Sequence, residues 1–191
     1  MATYALVHGA GASSWYWHLV KPELEAFGHY VVAPDLPCDD DAAGLCEYAD
    51  VIVDAIGGRS QVVLVAQSLA GLTAPLVAAR APVEVFCHDL TAKLAAEAGR
   101  HTRDQSLGPF QKPWPLPAWP DVPTRFLACT DDRFFPLEFQ RRVVRERLGI
   151  VPDEMDGGHL PALGHPHELV QRLEAYRAEL VGRQERSGRS R

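Results

Sequence analysis

Residues 66–71 read Ala-Gln-Ser-Leu-Ala-Gly and set one hydroxyl, that of Ser68, between small residues two positions away on either side. A serine on a sharp strand-to-helix turn brings neighbouring backbones close. Small residues such as Ala66 and Ala70 relieve that crowding, and the turn then presents the hydroxyl as a nucleophile. A serine opening a helix also serves as an N-cap, so this stretch by itself leaves two readings open. Three other stretches bear on the choice. His8-Gly9-Ala10-Gly11 follows an apolar run and can aim the backbone N–H of Ala10 at a point that the Ser68 turn also faces. The N–H of Leu69, at the start of a helix, supplies a second donor for an oxyanion. Thr130-Asp131-Asp132-Arg133-Phe134-Phe135-Pro136 ends a further apolar run in carboxylates, and Asp156-Gly157-Gly158-His159 brings a histidine after a weaker one. Serine, acid and histidine in that order suit nucleophilic acyl transfer, in which histidine takes the serine proton and the carboxylate holds its tautomer. Asp89, just beyond the run Val83–Cys87, is an alternative acid, a cap or a substrate contact.

Elements must carry these groups to one place. Short apolar runs at Tyr4–Val7, Tyr30–Pro34, Gln61–Ala66, Val83–Cys87 and Thr124–Cys129, with a weaker one at Ile150–Met155, predict strands. Helical spacing at Trp15–Phe27, Leu45–Ile56, Leu69–Arg80, Leu137–Leu148 and His167–Val181 fills the intervals, and a further helix is expected over Ala92–Ala98. Near-continuous apolar strands alternating with helices predict an α/β fold. The expected architecture is a single doubly wound domain with a mainly parallel sheet of about six strands and helices on both faces. Ligands then bind at the carboxyl ends of the strands. The run 109–123 breaks the alternation with six prolines and two tryptophans and predicts an extended surface connection. Trp114 and Trp119 are expected to pack down from it as a wall of the cleft.

Composition sets outer bounds. The 191 residues, 47% of them hydrophobic, suffice for one core, which predicts a domain over 1–182 and a flexible basic tail over 183–191. Nineteen Lys and Arg against 25 Asp and Glu give a net charge of −6 with no basic stripe, so nucleic acid is not an expected partner. The acidic run Asp39-Asp40-Asp41 predicts a solvated loop. No apolar stretch reaches the ~18 residues of a membrane span, and no secretory leader is visible before the first strand. Four scattered cysteines without a C-x-x-C spacing predict reduced thiols, a cytoplasmic protein and no structural zinc. Among the other histidines, His8 is expected to hold its turn and His165 and His167 to lie at the surface. His18, His29, His88 and His101 show no ligand spacing. Asp35 is expected to brace the Pro34–Pro37 turn, and Trp15-Tyr16-Trp17 to serve the core, with one ring reaching the cleft.

Over residues 3–181 the chain resembles the α/β-hydrolase superfamily, in particular the compact branch with plant methyl esterases and hydroxynitrile lyases. The resemblance rests on V-H-G-A-G-A-S-S-W-Y-W, V-V-A-P-D-L-P, A-Q-S-L-A-G, D-D-R-F-F-P and D-G-G-H-L-P in the right order. It implies a catalytic triad of Ser68, Asp132 and His159 and an oxyanion hole of the Ala10 and Leu69 N–H groups. Asp132 is favoured over Asp131 because the family places its acid four residues before a proline, here Pro136. Gly9, Trp15, Gln67, Asp89, Trp114 and Trp119 are candidate substrate contacts, and neither a metal nor an organic cofactor is called for.

The chain departs from the family at three points. Only 64 positions separate Ser68 from Asp132, and about 36 residues lie between Cys87 and Thr124, so the usual helical cap is absent or vestigial. Gln67 stands where many relatives carry histidine or glutamate. Met155-Asp156 stands where the hydroxynitrile lyases carry a lysine, which argues against release of cyanide. The implied activity is a serine hydrolase acting on a carboxylic ester, lactone or thioester. The alternatives are a lyase, cyclase or acyltransferase on the same triad, or an idle small-molecule-binding protein.

Overall fold

The structure is a computed structural model that describes residues 1–68, 86–111, 113, 117, 119, 120 and 122–188. The described residues fall into two compact units, one within Met1–Pro82 and Leu90–Pro117, the other within Val83–Asp89 and Ala118–Arg191.

The first unit is built on a three-stranded parallel sheet of β1 (Thr3–Val7), β2 (Tyr30–Val32) and β3 (Val62–Ala66), in the order β2-β1-β3. β1 is buried along its whole length, as a continuous apolar run flanked by two strands should be. Its register sets Tyr4 beside Val31 and Val63, and Val7 beside Ala66. The chain steps outward from β1 to β2 and then returns to the far side of β1 for β3. The strand order therefore reverses at β1, and in open α/β sheets such a reversal leaves a crevice at the carboxyl ends of the two central strands. His8–Gly11 and Gln67–Ser68 emerge there.

The expected helix Trp15–Phe27 is broken into a 3₁₀ turn, Ser14–Trp17, and α1, Val20–Ala26. Pro22 explains the break. Its missing N–H and its ring fit within the first turn of a helix starting at Val20 but would disrupt one already running from Trp15. Tyr16 and Trp17 are buried, as expected of core residues. Helix α2 runs over Leu45–Ile56. The Glu47 carboxylate accepts the Gly44 N–H at 2.7 Å at its start, and Gly57 at φ 61° ends it. Helix α3 (Ala92–Arg100) follows the Thr91 cap, whose hydroxyl accepts the Leu94 N–H. A short helix α4 (Gly108–Gln111) takes in Pro109 and Phe110. The run 109–123 is thus helical at its start rather than extended throughout, because proline is tolerated in a first helical turn.

The second unit pairs β4 (Leu127–Cys129) in parallel with β5 (Asp153–Met155). Both strands are shorter than the apolar runs Thr124–Cys129 and Ile150–Met155 suggested. Helix α5 (Leu137–Leu148) connects them and ends at Gly149 with φ 67°. A turn of helix, α6 (Pro161–Gly164), precedes the long α7 (Pro166–Gly188), each opening on a proline. Ala128, Val144, Met155, Leu163, Val170 and Leu173 form the buried interior. α7 reaches Gly188, so the expected tail is helical over most of its length. The expected helix Leu69–Arg80 and residues 83–85 of the expected strand Val83–Cys87 lie outside the described residues. Phe86 is helical and Cys87 sits in a bend. Among the described residues no helix is long and apolar enough to cross a membrane.

Candidate active site

Ser68 follows β3 with φ 54°, in the left-handed region that a residue bearing a Cβ rarely adopts. Holding it there costs on the order of 1–3 kcal/mol, which the surrounding structure must offset. The conformation is that of a sharp turn at the end of a strand, and the sheet's ladder runs right up to it, with the Gln67 N–H donating to Val7 O at 3.1 Å. The loop after β1 presses against the turn. A Cβ on Gly9 would lie 2.3 Å from Gln67 Oε1 and 2.9 Å from Ser68 Cβ, so only glycine allows the two loops to meet.

His8 holds this loop from below. It is 1% exposed, its Nδ1 lies 2.9 Å from Gly9 O, and its Nε2 accepts the Leu36 N–H at 3.1 Å. Both contacts fit one neutral tautomer, with Nδ1–H donating, and burial pushes the pKa down from its ordinary value. His8 therefore braces its turn, as expected. Asp35 does not brace its own turn. Its Oδ1 accepts the Ser14 N–H at 2.6 Å, which tethers the β2 loop to the 3₁₀ turn and lowers the carboxyl pKa. Trp15 lies stacked between His18 and His101, with ring centroids 4.3 and 4.2 Å away. Ala10 packs against the cluster of Val7, Leu36, Cys38, Ala43 and Tyr48. Leu69 and Trp114 lie outside the described residues. Trp119 is 49% exposed and its indole N–H donates to Thr124 Oγ1, so it does not pack down as expected.

In the second unit Asp132 and His159 meet. His159 Nδ1 lies 3.0 Å from Asp132 Oδ2, and both side chains are nearly buried. The other carboxylate oxygen accepts the N–H groups of Phe134 and Phe135 at 2.8 and 2.9 Å. Three partners thus fix the carboxylate, while Asp131, one residue earlier, faces solvent. Parallel pairing extends past the strand ends, since Thr130 N–H donates to Met155 O and Asp131 N–H to Gly157 O. That extension binds the acid loop to the histidine loop. Phe86, Phe134 and Phe135 surround the imidazole at centroid distances of 5.3, 5.0 and 5.5 Å, all near edge-on. Two of these rings, Phe134 and Phe135, belong to the D-D-R-F-F-P motif, where an aromatic pair directly after the acid is the sequence signal for them.

Asp89 does not contact His159 Nδ1. Its Oδ2 accepts the Gly158 N–H at 2.7 Å and lies 3.8 Å from His165 Nε2, so it steadies the loop that carries His159. The two glycines there are required by their neighbours. Gly157 has φ 118° and a Cβ on it would strike the His165 ring, while one on Gly158 would strike His88 and Asp89. His165 therefore packs against the loop with its side chain still 34% exposed. Burial raises the Cys129 thiol to about 12, which keeps it protonated and inert beside Asp132. A hollow of about 500 Å³ at the carboxyl end of β4 is bordered by Asp89, Asp132, Arg133 and Leu137, among others. Among the described residues no cluster of three His, Cys, Asp or Glu side chains could hold a metal ion.

A model of the alpha/beta hydrolase family matches residues 5–98 and 80–172. Methylesterase 9 of Arabidopsis thaliana is 36% identical over 95 residues, which is 44% of this chain and 37% of that protein. Salicylic acid-binding protein 2 of Nicotiana tabacum is 28% identical over 134 residues, covering 65% of this chain and 50% of that protein. The chain thus spans half or less of the length of these relatives. Among solved structures, a polyneuridine aldehyde esterase mutant superposes with a TM-score of 0.74 at 19% identity, over 91% of this chain and 98% of that one. That likeness shows the fold alone, and the family match over most of the chain shows membership. The chain belongs to the alpha/beta hydrolase family.

Proposed function

We propose that this protein is a serine hydrolase that cleaves a small carboxylic ester, with the methyl ester of an organic acid as the leading substrate class. The observation that carries the reading is the buried Asp132–His159 hydrogen bond, because a carboxylate on Nδ1 fixes the tautomer that makes Nε2 a base. In the proposed reaction Ser68 Oγ attacks the ester carbonyl as His159 takes its proton. The N–H groups of Ala10 and Leu69 bind the oxyanion. The alcohol leaves with the proton from His159, and water then attacks the acyl-enzyme by the same route in reverse. Asp132 stays ionised throughout and stabilises the imidazolium. The left-handed Ser68 and the names of the relatives, methylesterase and esterase among them, support this reading.

The reading includes one domain over 1–182, an open cleft without a helical cap, and cytoplasmic residence in keeping with four unpaired cysteines. Gly9, Trp15, Gln67, Trp114 and Trp119 are its proposed substrate contacts, and no metal or organic cofactor takes part. Incubation with a panel of methyl and aryl esters tests it. Acid and alcohol should appear in equal amounts, and Ser68→Ala should abolish both. Turnover without free acid would point instead to a lyase, cyclase or acyltransferase.

A further inference from the structure

The segment 103–108 has no place in the triad, yet it is hydrogen-bonded to the loop assigned above to the oxyanion. Gln105 Oε1 accepts the Gly11 N–H at 3.1 Å. The same side chain donates through Nε2 to Tyr48 Oη at 3.1 Å and to Ser106 O at 2.9 Å. Two residues earlier, the Arg103 N–H donates to Gly11 O at 2.7 Å, and its guanidinium reaches Leu36 O at 3.0 Å and Asp39 at 2.7 Å. The Ser106 N–H closes the segment onto Cys38 O at 2.6 Å. The approach is tight, since a Cβ on Gly11 would lie 2.9 Å from Arg103 O and one on Gly108 would lie 2.4 Å from Ala43 O.

We infer that residues 103–108 form a strap that orients the oxyanion loop, with Gln105 as its positioning residue. A loop of consecutive small residues does not hold one orientation by itself, because glycine restricts neither φ nor ψ. Here the loop is fixed on both sides of Ala10. His8 Nδ1 and the Ala12 N–H meet Gly9 O before it, and Gln105 with Arg103 takes both polar groups of Gly11 after it. Turning the Ala10 peptide requires Gly11 to turn as well, and that would break the bonds to the strap. Gln105 is anchored in turn by Tyr48, which is 4% exposed and sits on α2 in the cluster against which Ala10 packs. The strap thus ties the donor to the core. It also occupies part of the interval of chain in which larger relatives of the resemblance insert their cap.

The inference rests on the oxyanion role of Ala10 for its catalytic consequence, but not for its structural one. Gln105→Met keeps the volume and removes every polar contact, whereas Gln105→Glu retains an acceptor for Gly11. Removing an oxyanion donor outright costs about 10²–10³ in kcat, and misaiming one should cost a part of that. With p-nitrophenyl acetate, Gln105→Met is expected to lower kcat by about 10–100-fold with KM unchanged, and Gln105→Glu is expected to recover most of the loss. Inhibition by a phenyl-bearing trifluoromethyl ketone, whose adduct carries the oxyanion, should weaken in parallel. Hydrogen exchange of the peptide spanning residues 7–13 should quicken in Gln105→Met whether or not the enzyme turns over. Unchanged exchange with an unchanged ketone affinity would overturn the strap, as would equal loss in the Met and Glu variants. If exchange quickens while the wild type releases no acid from any ester, the reading of Ser68 fails and the strap stands.

Discussion

At Ser68 a positive φ of 54° and a glycine too close to carry a Cβ set the geometry, while at His159 a series of side-chain hydrogen bonds does so. In the first region the backbone sets the direction of the serine. It depends on backbone strain, on close approach through Gly9, and on a ladder that runs from β1 and β3 into the turn. The second has ordinary backbone at Asp132 and His159, and depends on a carboxylate with three partners and a second carboxylate on the Gly158 N–H. The difference follows from what each group must do. A nucleophile must stand clear of its own backbone, which only an unfavourable turn achieves, whereas a base must keep one tautomer, which only a partner on its far nitrogen ensures. Substitutions should accordingly act by sterics in one region and by charge in the other.

The largest effect should fall on the charge side. Asp132→Asn keeps the shape and removes the ionised acceptor, so kcat should drop by about 10⁴, with Asp131→Asn near wild type. Asp89→Asn retains an acceptor for Gly158 and should cost far less than Asp132→Asn. A crippled Asp89→Asn beside an active Asp132→Asn would move the acid and break the contrast. On the steric side, Gly9→Ala should cost about 10²-fold in kcat with the protein still folded, because the Ser68 turn must shift by a sizeable fraction of an ångström. A fully active Gly9→Ala would show that the two loops are not in fact locked. Strain itself predicts a smaller effect of opposite sign on stability. Ser68→Gly should be inactive yet more stable than Ser68→Ala by about 1 kcal/mol in denaturant titrations, whereas Asp132→Ala should lose stability.

The smallest effect concerns pH. His8 is held neutral by burial, so its folded pKa lies below the ordinary 6.5. The unfolded chain then binds the proton more readily, and the stability that His8 contributes is present above that value and is lost as pH falls below it. The stability slope of the wild type below about pH 6.5 should be steeper than that of His8→Asn, by up to about 1.4 kcal/mol per pH unit. Equal slopes would assign the acid sensitivity to other groups.

Much of this organisation is legible in local pattern. The helices at Leu45–Ile56 and Leu137–Leu148 have strong periodicity and a closing glycine, and the structure gives them the same bounds. The strands Tyr4–Val7 and Gln61–Ala66 shift by one residue, because their apolar runs and their pairing coincide. Where the pattern misled, the cause is either a single residue or a distant partner. Pro22 breaks a helix that the apolar spacing alone extends, and Pro109 enters one that proline content alone excludes. Asp89 meets Gly158 across 69 positions and Gln105 meets Gly11 across 94, and nothing in the local spacing of either residue records such a bond. Trp119 shows the opposite limit. Its size predicts burial, but its indole N–H finds Thr124 five positions away and the ring stays half exposed.

The central claim is that Ser68 is an activated nucleophile, and the adduct formed by a fluorophosphonate tests it most directly. Intact-mass and peptide analysis should show one modification, at Ser68, lost in Ser68→Ala and greatly slowed in His159→Ala. Modification at Ser13, Ser14 or Ser106 instead, or a wild type left unlabelled, would contradict the account.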